Sequence, residues 1–92
     1  MIKISKTFTR PSVDIAWWQD TPEAEQSRAL YSSFSMVQSP DGLSFTGTLT
    51  YDNEAQYLAF LAEPSAKESI DRRKLYNAIN GINEGPTSSV VI

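Results

Sequence analysis

At 92 residues the chain is expected to form one small domain spanning 1–92, since two separate cores would each have too little chain to bury. Its 40% hydrophobic and 21% charged residues suit a folded globular protein, and a formal charge of -3 gives no general attraction for phosphate backbones. Cysteine and histidine are both absent, which removes disulfides, thiolate chemistry, the commonest metal ligands and the one side chain that titrates near neutrality untuned.

Ile2 to Thr9 places Ile2, Ile4 and Phe8 on one side, with Lys6 interrupting that row, and this period of two predicts a strand. Arg10-Pro11-Ser12 breaks the pattern as a turn or a bulge. Val13, Ile15 and Trp17 alternate with Asp14, Ala16 and Trp18. They predict a second strand segment, either continuing the first or pairing with it.

Asp20-Thr21-Pro22-Glu23 is a helix start: Thr21 can cap, Pro22 fits the first helical position, and Glu23 and Glu25 suit the positive end. Ala24, Arg28, Tyr31 and Phe34 then recur at helical spacing and predict a helix to about Phe34. Met36 and Val37 lead into a strand, and Ser39-Pro40-Asp41-Gly42 fits a turn. From Leu43 to Tyr51 the alternation is unbroken: Leu43, Phe45, Gly47, Leu49 and Tyr51 on one face, and Ser44, Thr46, Thr48 and Thr50 on the other.

Asp52-Asn53-Glu54 caps a further helix, which Pro64 should end near Ala62 or Glu63. Ser65 and Glu68 match a capping box for the next helix, where Ile70, Lys74, Leu75, Ala78, Ile79 and Ile82 form a mostly apolar stripe. Gly81 is a plausible stop, and Asn83-Glu84-Gly85-Pro86 reads as a loop. Residues 83–92 close the chain as a short terminal strand or a flexible tail.

Merging the first two strand segments gives β-α-β-β-α-β, an α+β two-layer sandwich with an antiparallel sheet and helices on one face. This order resembles the ferredoxin-like superfold, and more loosely the dimeric α+β barrel proteins built from it. The resemblance rests on element order. Relatives of that kind with oxygenase or isomerase activity often rely on a histidine, which this chain lacks.

Trp17 and Trp18 are the candidate interaction residues: on a strand the two indoles point opposite ways, so one enters the core and the other either packs under a loop or a helix end or stands exposed as an anchor for a protein partner or a ligand. Arg72, Arg73 and Lys74 are the only basic run, and on a helix they fan through about 200 degrees rather than forming one flat patch. Asp14, Tyr31, Tyr51, Tyr57 and Tyr76 could line a pocket, with Asp14 or a tyrosine as acid or base. The best strand offers hydroxyls on its second face and no aromatic platform, which argues against nucleic-acid binding.

No metal site, cofactor motif or catalytic residue set is recognisable, so no cofactor is expected. Without an apolar span or a signal-like start, a soluble, cytoplasmic protein that does not bind membranes is expected. The first expectation for its role is a non-enzymatic protein-interaction or assembly domain that self-associates as a homo-oligomer or joins a complex. The alternative is a small-molecule-binding or cofactor-independent enzyme domain.

Overall fold

Ile2, Ile4 and Phe8 lie on one side of a strand, β1 (Ile2–Thr9), in a computed structural model that describes residues 1–92. Further along the chain come α1 (Pro22–Ala29), β2 (Ser32–Gln38), β3 (Ser44–Tyr51), α2 (Glu54–Ala62), α3 (Pro64–Asn80), β4 (Asn83–Glu84) and β5 (Ser88–Val91). Every strand pairing is antiparallel, in the order β2-β3-β1-β4, with β5 also pairing to β1. This is the ferredoxin-like α+β sandwich.

The β1–β3 ladder runs from Ile2 opposite Tyr51 to Thr9 opposite Ser44, and β2 sets Phe34 opposite Leu49 and Met36 opposite Gly47. Cross-strand partners share a face. One face therefore carries Ile2, Ile4, Lys6 and Phe8 beside Tyr51, Leu49, Gly47 and Phe45. Tyr51 on this face is fully buried and packs with Ile2, Ile4, Phe60 of α2 and Ala66 of α3. The helices thus cover the side that holds Leu49 and Tyr51. The opposite face is a field of hydroxyls, where Ser5 bonds Thr48 at 3.2 Å and Thr7 bonds Thr46 at 2.8 Å.

Val13 to Trp18 is not a strand, which corrects that expectation. β1 already has β3 on one edge and β4 and β5 on the other, so the departing chain finds no ladder. Arg10 fixes the exit instead, its Nε donating to the Gly42 carbonyl at 2.8 Å and its Nη1 to the Ile15 carbonyl at 2.7 Å. The residues that follow cross the helix side of the sheet as an irregular strap, and Tyr76 Oη donates to the Ala16 carbonyl at 2.7 Å.

α1 starts as expected, with Thr21 Oγ1 accepting from the Ala24 amide at 3.2 Å, but it ends at Ala29 rather than near Phe34. Ser32 Oγ donates back to the Arg28 carbonyl at 3.1 Å and closes the helix end, and Phe34 joins the sheet opposite Leu49. α3 begins one residue before the anticipated capping box: Pro64 opens it, and Ser65 Oγ instead donates to Ser27 Oγ at 3.4 Å. Gly81 ends it in the left-handed region at φ 70°.

A one-residue slip separates the last two strands. β5 pairs Ile2 with Val91 and Ser5 with Ser88, whereas β4 pairs Phe8 with Glu84. Such a bulge exchanges the faces of the strand. It turns Glu84 towards the helices, onto the face of Phe8. Gly85 sits at the slip, its amide donating to the Thr7 carbonyl at 2.8 Å, and a Cβ there would come within 3.0 Å of that same oxygen. Any larger residue would push the bulge open.

Candidate functional site

The inner face of the sheet splits into two apolar groups. At one end lies the Tyr51–Phe60 cluster; at the other, Phe8 stacks on Phe45 with ring centres 4.8 Å apart, and Trp17 meets Phe45 edge-on at 4.6 Å. Between them a cavity of about 490 Å³ opens under the helices, with more than half of its wall apolar. Gly47 helps form its floor, since the missing side chain leaves room beside the Phe34 and Phe45 rings. Only ten of the 92 residues are buried, and most of them border this space.

α3 explains how the wall became polar. Its inward positions are Ala66, Ile70, Arg73 and Asn77, at spacings of three and four, whereas Leu75 and Ile79 are 64% and 74% exposed. The expected apolar stripe of this helix therefore faces largely outward, apart from Ile70 and the buried Ile82 beyond its end. Arg73 and Asn77 need partners at that depth, and Glu84 supplies them: Asn77 Nδ2 donates to Oε2 at 2.8 Å, and Arg73 Nη2 to Oε1 at 3.2 Å. Lys6 Nζ joins the same oxygen at 3.0 Å. Burial alone would raise the Glu84 carboxyl, but hydrogen bonds from Asn77 and Lys6 and the Arg73 charge bring it below its ordinary 4.5.

A second polar group sits on the α1 side. Asp20 Oδ2 accepts from Arg28 Nη1 at 2.8 Å; its Oδ1 accepts from Ser69 Oγ at 2.7 Å and from the Trp18 indole at 3.0 Å. The Arg28 guanidinium lies 4.6 Å from the centre of the Phe34 ring.

Trp17 and Trp18 do not face opposite ways. Without a strand to alternate them, both half-buried indoles turn to the cavity, Trp17 donating to Gln38 Oε1 at 3.1 Å under the Arg10 guanidinium, and Trp18 leaning on Tyr76. Tyr51 and Tyr57 also line the cavity. Tyr31 packs beside the core and donates to Glu63 Oε1 at 2.7 Å, which holds its proton more tightly than usual. Tyr76 secures the strap, and Asp14 is exposed on its outer side, away from the cavity. The basic run divides: Arg72 turns outward to Glu68 at 2.6 Å, while Arg73 and Lys74 reach the cavity wall. Lys6, Arg28, Asn77 and Glu84 were not among the anticipated site residues. The available signal was a charged side chain interrupting an apolar row, at Lys6 in β1 and at Arg28 in α1.

The Tyr51 hydroxyl is buried with no well-formed hydrogen bond, because the Ser32 hydroxyl near it donates to the Arg28 carbonyl instead. Burial pushes this phenol up to about 12, the Ser32 hydroxyl acting in the opposite direction, so it stays neutral over the working pH range. An unpartnered buried hydroxyl costs stability, so Tyr51→Phe is expected to leave stability unchanged or raise it by about 1 kcal/mol. Urea denaturation checks this; a loss above about 2 kcal/mol would mean the hydroxyl is bonded in the folded protein.

No group of three or more acidic side chains is placed to hold a metal, and no helix is long and apolar enough to cross a membrane. No family model and no curated protein matches the chain. Solved structures do. SnoaB, a cofactor-independent oxygenase from Streptomyces nogalater, matches with a TM-score of 0.68 at 10% identity, over 99% of this chain and 91% of that one. An antibiotic biosynthesis monooxygenase matches with a TM-score of 0.56 at 14% identity, over 100% and 96%. An uncharacterized NIPSNAP domain protein from Burkholderia xenovorans matches at 0.59 and 17% identity, over 100% and 94%. At these identities the likeness is one of fold.

Proposed function

We propose that the chain is a small-molecule-binding domain of the cofactor-independent oxygenase type, taking a planar aromatic or conjugated molecule into the cavity between helices and sheet. The single observation that carries this reading is the cavity itself: about 490 Å³, aromatic at both ends and in the size range of ligand pockets. The fold shared with SnoaB and with an antibiotic biosynthesis monooxygenase supports the reaction class. In such chemistry the substrate itself delivers electrons to dioxygen, so the protein needs to bind, orient and desolvate more than to donate. The purely structural interaction role, which composition put first, gives way to this alternative.

Both indoles lie on the wall, so ligand entry should quench tryptophan emission. The test pairs that titration with oxygen uptake on a panel of hydroxylated polycyclic aromatics, without added cofactor. Saturable quenching together with protein-dependent uptake supports the reading; no quenching by any member of the panel overturns it.

Self-association is a second reading, favoured by the uncovered outer face of the sheet. Val37 and Val90 stand 72% and 50% exposed there among the serine and threonine hydroxyls. Sedimentation velocity across a concentration series is expected to show a dimer that Thr48→Arg disrupts. A monomer at every concentration contradicts it.

A further inference from the structure

The cavity wall is electrically lopsided, in a chain that is acidic overall. Lys6, Arg73 and Lys74 reach it from the β1 and α3 side. One carboxylate, Glu84, bonds Lys6 and Arg73, and its second oxygen is committed to Asn77. On the α1 side Arg28 is already paired with Asp20, and Glu25 adds another negative charge to the wall. The excess positive charge is therefore concentrated beside Phe8, whose ring centre lies 5.4 Å from the Arg73 guanidinium carbon and 6.0 Å from Lys6 Nζ. Of the Arg73 nitrogens only Nη2 is hydrogen-bonded, to Glu84; Nε is closed off by packing, and Nη1 is the donor left for an incoming acceptor. Arginine carries five N–H donors, so one carboxylate oxygen leaves most of this guanidinium unmatched.

We infer that the Phe8 side of the cavity is an anion subsite, selecting aromatic ligands that carry a carboxylate, a sulfonate or an ionised phenol oxygen, with Arg73 as its specificity-determining residue. Apolar rings on either side lower the local dielectric and strengthen the attraction. The planar fork of arginine then fixes the orientation of the charged group, and so of the aromatic frame behind it. Glu84 acts from behind, holding Lys6 and Arg73 in place without cancelling both. This inference rests on the cavity being a ligand site.

The test uses two probes with one aromatic frame, 8-anilinonaphthalene-1-sulfonate and the neutral N-phenyl-1-naphthylamine, titrated into the full chain by fluorescence. The sulfonate is expected to bind about tenfold more tightly or better. Arg73→Gln should abolish that preference while retaining affinity for the neutral probe. Arg72→Gln removes the same charge one residue away, on the outward side of the helix, and should leave the preference intact. If Arg73→Gln fails to fold by circular dichroism, Arg73→Lys provides the readout: it keeps the charge, loses the fork and should lower the preference about threefold. Equal binding of both probes, or a preference indifferent to Arg73 or equally sensitive to Arg72, overturns the subsite and leaves the cavity reading standing. Failure of both probes to bind would instead count against the cavity as a ligand site.

Discussion

Glu84→Gln is expected to lower stability by about 1 kcal/mol at neutral pH, roughly 5 °C in Tm for a domain of this size. The substitution keeps the shape of the side chain and removes the only carboxylate that meets Lys6 and Arg73, both partly buried. It leaves two cations facing each other across an apolar wall, and that loss dominates any relief from desolvating a carboxylate. The pH dependence follows from the depressed Glu84 carboxyl. A folded-state value below the unfolded one gives stabilisation that is fully present above about pH 4.5 and is lost as pH falls through the folded value. Wild type and Glu84→Gln should therefore differ most near neutrality and converge as the pH falls through the folded-state value of Glu84. Thermal melts of both across that range check it; a gap that does not shrink on acidification would show that the carboxylate charge is not what matters.

Gly47→Val is expected to separate stability from binding. Its backbone is ordinary extended strand, and a Cβ would lie 3.4 Å from Phe34 Cε2 and 3.5 Å from Phe45 Cε2, ordinary contact distances. Valine also suits a strand better than glycine does, so stability should change by less than about 1 kcal/mol in either direction. The added methyl groups, however, project onto the cavity floor. Affinity for a planar aromatic ligand should fall by more than about tenfold, through overlap with the space the ligand needs. Urea melts and probe titration on the same preparation give both numbers. Unimpaired binding by a stably folded Gly47→Val protein would place the ligand elsewhere.

Period-two patterning made the sheet legible. Leu43 to Tyr51 needed only its own alternation to declare a strand with one dry face, and cap chemistry at Thr21 and Asn53 located two helix starts. What alternation could not show was pairing. Val13 to Trp18 has the pattern of a strand, but both edges of the preceding β1 are already paired, so alternation sets its tryptophans on opposite sides whereas both turn inward. Phe34 fits a helical stripe by spacing, yet the ladder to Leu49 recruits it into β2.

The site was harder to read because it inverts the rule used to find cores. Leu75 and Ile79 look like the buried side of α3, while Arg73 and Asn77 look solvated; the protein does the reverse, because that face borders a cavity rather than packed core. Lys6 in an apolar row was the visible trace of this. Its meaning depended on Glu84, whose orientation is set by a bulge that no local spacing reveals. Long-range charge pairing across 78 positions of sequence is a property of topology, here Lys6 with Glu84.

The most direct test follows amide and indole resonances of uniformly ¹⁵N-labelled protein during titration with a small polycyclic aromatic. Ligand binding in the cavity predicts saturable shifts at the Trp17 and Trp18 indole NH groups and at the Gly47 amide, with the amides of Leu30 and Ile79 unmoved. Shifts gathered instead on the outer face, around Thr46 and Thr48 without the indoles, would contradict it.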